Sequence, residues 1–158
     1  MKIKKRYYLQ KKKLKKVIKE LGEYSDLIPV KSKVEMLEVE PYPLLLVNGE
    51  PHILLIEDKP FPTLKAALSI ELKSKKVVVD MGAVKFIVNG ADVMSPGIVN
   101  VSDNLKKDDI VVIVDEKHHN PLSIGIALID GEDMIKNNDG KAIKNIHYIG
   151  DPIWEIEP

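Results

Sequence analysis

Hydrophobic positions follow two patterns along the chain. Over residues 10–22, Leu14, Val17, Ile18 and Leu21 fall at i, i+3, i+4 and i+7, one apolar stripe of a helix. Lys12, Lys15, Lys16 and Lys19 repeat that spacing on the opposite side, and Gly22 stops the run. The spacing predicts an amphipathic helix with a wholly basic outer face. Beyond it the apolar residues come in short runs. Val34, Met36, Leu37 and Val39 lie in a charged strand at about 33–40. Leu44–Val47 and Ile53–Ile56 read as strands around Asn48-Gly49, a dipeptide suited to the positive φ of a hairpin turn. Pro41, Pro43 and Pro51 mark strand edges. After Pro60-Phe61-Pro62, Thr63 is placed to cap a short helix that buries Leu64, Ala67, Leu68 and Leu72.

A charged break, Lys73-Ser74-Lys75-Lys76, precedes a second texture. Strands are predicted at Val77–Asp80, Ile110–Asp115 and Leu122–Ile129, with short helices near 82–89 and 132–138. The fold class is therefore α+β. An N-terminal α+β domain is expected over residues 1–74, followed over 75–158 by a small β barrel or sandwich with short helices.

Charge changes this picture. The 158 residues carry 24 basic and 24 acidic side chains, a formal net of zero. Residues 1–19 hold ten basic residues and no acidic one, so the other 139 hold 14 basic and 24 acidic, a net of −10. Such a segment either folds back onto its own acidic body or reaches outward to an anion such as nucleic acid. The helix face is thus a solvated surface or a phosphate-facing one. A membrane-surface role fits poorly, because the apolar stripe is narrow and lacks aromatic residues.

Hydrophobic content of 44% is that of a globular chain. The absence of cysteine excludes disulfides and thiolate chemistry. No apolar run approaches a membrane span, and Lys11 to Lys19 interrupt any signal-peptide core. A soluble, cytoplasmic protein is expected, with no membrane partner. High Lys and Glu without Cys is compatible with a thermophilic source.

Enzyme chemistry finds little support. His118 and His119 are adjacent and point apart on an extended segment, a poor chelating pair. No metal site and no cofactor is expected. Phosphate-loop and nucleophile-elbow motifs are absent. Asp108-Asp109 and Glu132-Asp133 sit where capping explains them.

Residues 80–98, DMGAVKFIVNGADVMSPGI, are the most specific stretch. Asp80 ends a strand and can cap the next helix. Gly82 and Gly90 allow tight turns, and Ala83 allows close backbone approach. Any strand–helix–strand corner could use the same residues. The pattern nevertheless resembles the PUA domain, named after pseudouridine synthases and archaeosine transglycosylases. Asp108–Val114 and Gly125-Ile126-Ala127 resemble later strands of that domain. Asn145-Ile146-His147-Tyr148-Ile149-Gly150-Asp151 with Trp154 resembles a narrower group, the malignant T-cell-amplified-sequence family and its archaeal relatives. In that group a pre-PUA domain precedes the PUA domain, and Pro60–Leu64 is similar to its interdomain region.

The resemblance implies a PUA-type pseudo-barrel and RNA binding without catalysis. It further implies translation work on tRNA or small-subunit ribosomal RNA, with the small ribosomal subunit and a density-regulated-protein-like chain as partners. Carried over are Asp80, Gly82, Ala83, Lys85, Phe86, Gly90, Ala91, Met94, Pro96, Gly97 and Ile98. Met81 stands where many relatives carry a basic residue. Ala83 and Ile87 are expected in the core, with Phe86 at its edge. Lys85 pairs with a phosphate or is simply solvated. Met94 and Ile98 form a platform for a base, or pack in the core. Tyr148 and Trp154 stack on bases or fill the barrel. Lys4, Lys5, Arg6, Lys12, Lys15, Lys16 and Lys19 are the expected phosphate contacts. Two other readings stand beside this one: an RNA-binding subunit of a modification enzyme, and a protein adaptor with a basic docking helix.

Overall fold

A computed structural model describes residues 2–158. The chain divides into two units, one running through Ser69 and taking in Ile156–Pro158, the other spanning Ile70–Glu155. Each is α+β.

The first unit is a five-stranded antiparallel sheet in sequential order, β1-β2-β3-β4-β5: Ile3–Tyr8, Val34–Val39, Leu44–Val47, Glu50–Ile56 and Lys59–Pro62. Helix α1 (Lys11–Leu21) follows β1, and the one-turn α2 (Leu64–Ala67) follows β5. α1 ends at Gly22, whose φ is +56°. Val17 and Leu21 of its stripe are buried, and Leu14 and Ile18 half-buried. Asn48 and Gly49 take φ of +52° and +86°, the paired positive values of a type I′ hairpin between β3 and β4. Thr63 caps α2, its Oγ1 accepting the Ala66 N–H at 3.3 Å. The core is built on Leu37, Leu44–Leu46, Ile53, Leu54 and Leu64, with Tyr24 set edge-on to Phe61 at 5.5 Å.

Two strands of this sheet were not expected. β1 is exposed along its whole length, so it shows none of the alternation that marks a half-buried strand. β5 contains Pro60 and Pro62, which argue against a strand except at a sheet edge, and β5 is an edge.

The second unit is a curled, half-barrel sheet of six strands. Its members are β6 (Lys76–Val79), β7 (Val93–Met94), β8 (Ile98–Val101), β9 (Ile110–Asp115), β10 (Pro121–Ala127) and β11 (Lys141–Tyr148), in the order β7-β11-β10-β9-β6-β8. All pairings are antiparallel except β6 with β9. Short helices α3 (Met81–Ile87) and α4 (Gly131–Lys136) fill the corners. Val77, Val79, Val111, Ile113, Ile143 and Met134 form the core, with Ile87 of α3 among them. No helix among the described residues is long and apolar enough to cross a membrane.

Candidate nucleic-acid interface

Strand β6 ends at Val79, and Asp80 turns the chain into α3. The Asp80 carboxylate accepts the Ala83 N–H at 2.9 Å, the capping bond its position predicts. A β carbon on Gly82 would stand 3.3 Å from that same carboxylate, so a residue without a side chain leaves the cap undisturbed. A β carbon on Gly97 would stand 3.3 Å from the Ala83 methyl. Small residues at 83 and 97 therefore let α3 approach the Ser95–Gly97 turn closely.

Between α3 and that turn lies an open groove of about 570 Å³. Asp80, Gly82, Ala83, Phe86, Ala91, Met94, Pro96 and Gly97 line it, so one groove gathers most of the segment singled out from sequence. Two further lining residues were not among the candidates: Asp92, which lies inside that segment, and Lys141, 49 positions further along the chain, which the pairing of β7 with β11 brings to it. Their side chains form an ion pair at 3.1 Å. Burial pushes the Asp92 carboxyl up, but the Asn145 N–H and the Lys141 ammonium outweigh it and hold the group below the usual carboxylate range.

The remaining expectations divide. Phe86 is 59% exposed and stands over the groove, not at the edge of the core. The helical turn that buries Ile87 turns its neighbour outward. Met94 is 45% exposed, as a platform requires, whereas Ile98 is 8% exposed and belongs to the core. Ile98 therefore offers no surface to a base. Lys85 is exposed, its Nζ 5.1 Å from the centre of the Phe86 ring. Gly90 lies outside the groove, covered by the half-buried Tyr148 ring. Trp154 is also half-buried, in a C-terminal turn held by Asp151.

The basic residues of the first unit are unequal. Arg6 makes a two-pronged bond to Glu35, and Lys4 pairs with Glu40 at 2.7 Å. Part of the basic segment thus folds back on its own acidic residues. Lys16 lies 3.8 Å from Glu20 on the same helix. Among the described residues, Lys5, Lys12, Lys15 and Lys19 have no acidic partner. The first turn of α1 carries no acidic residue either, and Lys11, Lys12 and Lys13 crowd the positive end of its dipole. That arrangement is unfavourable alone, and of the three only Lys13, 3.9 Å from Asp58, has an acidic neighbour among the described residues. Among the described residues no group of three or more His, Cys, Asp or Glu side chains could hold a metal ion.

Residues 75–149 match the family described as PUA domain, and residues 5–69 one described as Domain of unknown function (DUF1947). The chain is 34% identical to translation machinery-associated protein 20 of Schizosaccharomyces pombe over 82% of this chain and 75% of that one. It is 33% identical to malignant T-cell-amplified sequence 1 of Rattus norvegicus over 84% and 76%. The chain belongs to the malignant T-cell-amplified-sequence family. It is also 46% identical to an uncharacterized protein of Methanocaldococcus jannaschii over 99% of both chains. The crystal structure of a hypothetical protein from Pyrococcus horikoshii OT3 superposes with a TM-score of 0.88 at 38% identity, over 98% of this chain and 100% of that one. The fold also matches that of a PUA domain protein from Thermoplasma acidophilum, at a TM-score of 0.78, 24% identity and coverage of 98% and 100%.

Proposed function

We propose that this protein binds structured RNA without catalysis, through the groove between α3 and the Ser95–Gly97 turn, with added phosphate contacts from the outer face of α1. The observation that carries this reading is the groove itself. The segment bearing the family resemblance builds an open surface with small residues on its walls and an exposed aromatic ring and thioether above them. A sugar–phosphate backbone can come close to glycine and alanine, and unstacked bases can lie on Phe86 and Met94. The unpaired lysines of α1 supply affinity rather than sequence reading.

The names of the relatives point the same way. The relative called translation machinery-associated supports a translation-associated role. On this reading the RNA is tRNA or small-subunit ribosomal RNA, the site of work is the cytoplasm, and a density-regulated-protein-like chain is the partner to seek.

A salt titration of tRNA binding by the purified protein tests the proposal. Each phosphate neutralised contributes about −0.7 to −0.9 to the slope of log K against log salt, so Lys5 of β1 with Lys12, Lys15 and Lys19 of α1 would give about −2.8 to −3.6. A slope near zero, or no binding at physiological salt, would favour the adaptor reading and sink this one.

A further inference from the structure

The groove has a polar end that the RNA-binding reading leaves without a role. Asp92 is fixed from behind: its Oδ1 accepts the Asn145 N–H at 2.9 Å. Asn145 is itself anchored, its Nδ2 donating to the Ile87 and Ala91 carbonyls at 3.0 Å each. Lys141 Nζ meets Asp92 Oδ2 at 3.1 Å. Each carboxylate oxygen accepts one bond here and retains a further lone pair, and the ammonium retains two N–H donors. The groove thus ends in a row of one donor and two acceptors, preorganised by the chain behind it.

We infer that this end of the groove reads a single unpaired guanine, a specificity that rests on the RNA-binding reading above. The Watson–Crick edge of guanine presents one acceptor, O6, followed by two donors, N1–H and the 2-amine. Lys141 facing O6 and Asp92 facing the two donors satisfies all three. Adenine and cytosine offer one amine beside an acceptor nitrogen, and uracil offers one N–H between two carbonyls, so each sets a lone pair against the carboxylate. Single-stranded RNA is commonly read on this edge by bases splayed out of the stack. The apolar walls fit the faces of such a base, with Phe86 and Met94 both exposed to it. A groove of about 570 Å³ lies in the ~300–1,000 Å³ range of sites for small molecules, the scale of one extruded nucleotide and not of a duplex.

The test uses the full-length protein and RNA stem–loops carrying one unpaired nucleotide beside the stem: guanine, adenine, cytosine, uracil, inosine or an abasic site. Guanine is expected to bind about tenfold tighter than the other three bases, with inosine, which lacks the 2-amine, in between. Asp92→Asn should bring the four bases to within about twofold of one another. Lys141→Met, at an exposed side chain, should do the same for discrimination through O6, and it keeps the test decisive if the Asp92 variant fails to fold. RNA binding with no base preference, or an abasic probe bound as well as guanine, overturns the guanine slot and leaves the RNA-binding reading standing. Failure to bind any probe overturns both.

Discussion

A β carbon at position 90 would meet the Tyr148 ring at 3.0 Å, and the backbone there holds φ at +96°. Both penalties fall on any residue but glycine, since L side chains are strained at positive φ. Gly90→Ala should cost about 1–2 kcal/mol and lower the thermal midpoint by roughly 2–4 °C for each kcal/mol. An unchanged melt would show that the loop re-forms around the methyl group. Asp151 carries a different burden. It takes the His147 ring nitrogen at 2.9 Å, the Tyr148 N–H at 2.9 Å and the Trp154 N–H at 2.8 Å, all from a buried position. Burial alone would push the carboxyl up, but His147 and the two N–H groups outweigh it and hold the pKa below its ordinary value. A carboxyl depressed on folding contributes stability that is fully present above its unfolded pKa, about 3.9. That contribution is lost as pH falls through the folded value. Acid unfolding should therefore steepen below about pH 4, and Asp151→Asn should flatten that limb while lowering stability at neutral pH. An equally steep acid limb in the variant would assign the loss to other carboxylates.

At the scale of elements, α1 is where sequence and surface chemistry coincide. Replacing Lys12, Lys15 and Lys19 with Gln, whose helix propensity is close to that of Lys, should leave the helical circular-dichroism signal intact. It should also flatten the salt slope of tRNA binding by about 2–2.7, three contacts at 0.7–0.9 each. An unchanged slope would make the basic face a solvated surface only. This helix was legible because its period of 3.6 is written in both the apolar stripe and the lysines. The β3–β4 hairpin was legible because Asn48-Gly49 names its turn. β1 was not, since it is exposed on both faces and held to β2 by cross-strand pairs such as Arg6–Glu35. The turn from β4 to β5 places Glu57 and Asp58 at φ of +51° and +65°, a conformation that Gly or Asn would announce and these acids do not. In the groove, the helix cap and the small residues could be read from a local motif. The Asp92–Lys141 pair could not, because strand pairing and not sequence neighbourhood creates it.

For the whole molecule, a net charge of zero conceals two kinds of surface with separate signatures. Lysines act through released counterions, so their removal changes the salt slope. On the proposed reading Phe86 and Met94 would act through stacking and apolar contact, so Phe86→Ala should weaken RNA binding at every salt concentration and leave the slope unchanged. Stacking on one aromatic ring is worth about 1–3 kcal/mol, which predicts a loss of roughly fivefold or more. Phe86 is exposed, so its removal leaves no cavity, and the melting temperature should hold. Phe86 and the α1 lysines share no bonding partner, so their effects should be independent. If one RNA uses both surfaces, the fold-losses of Phe86→Ala and of the triple lysine variant multiply when the two are combined. If the two units serve different ligands, the combined variant binds tRNA no worse than the weaker of its parents. Binding isotherms of the four proteins at two salt concentrations separate these outcomes, because slope reports on the helix and the offset between parallel lines reports on the groove.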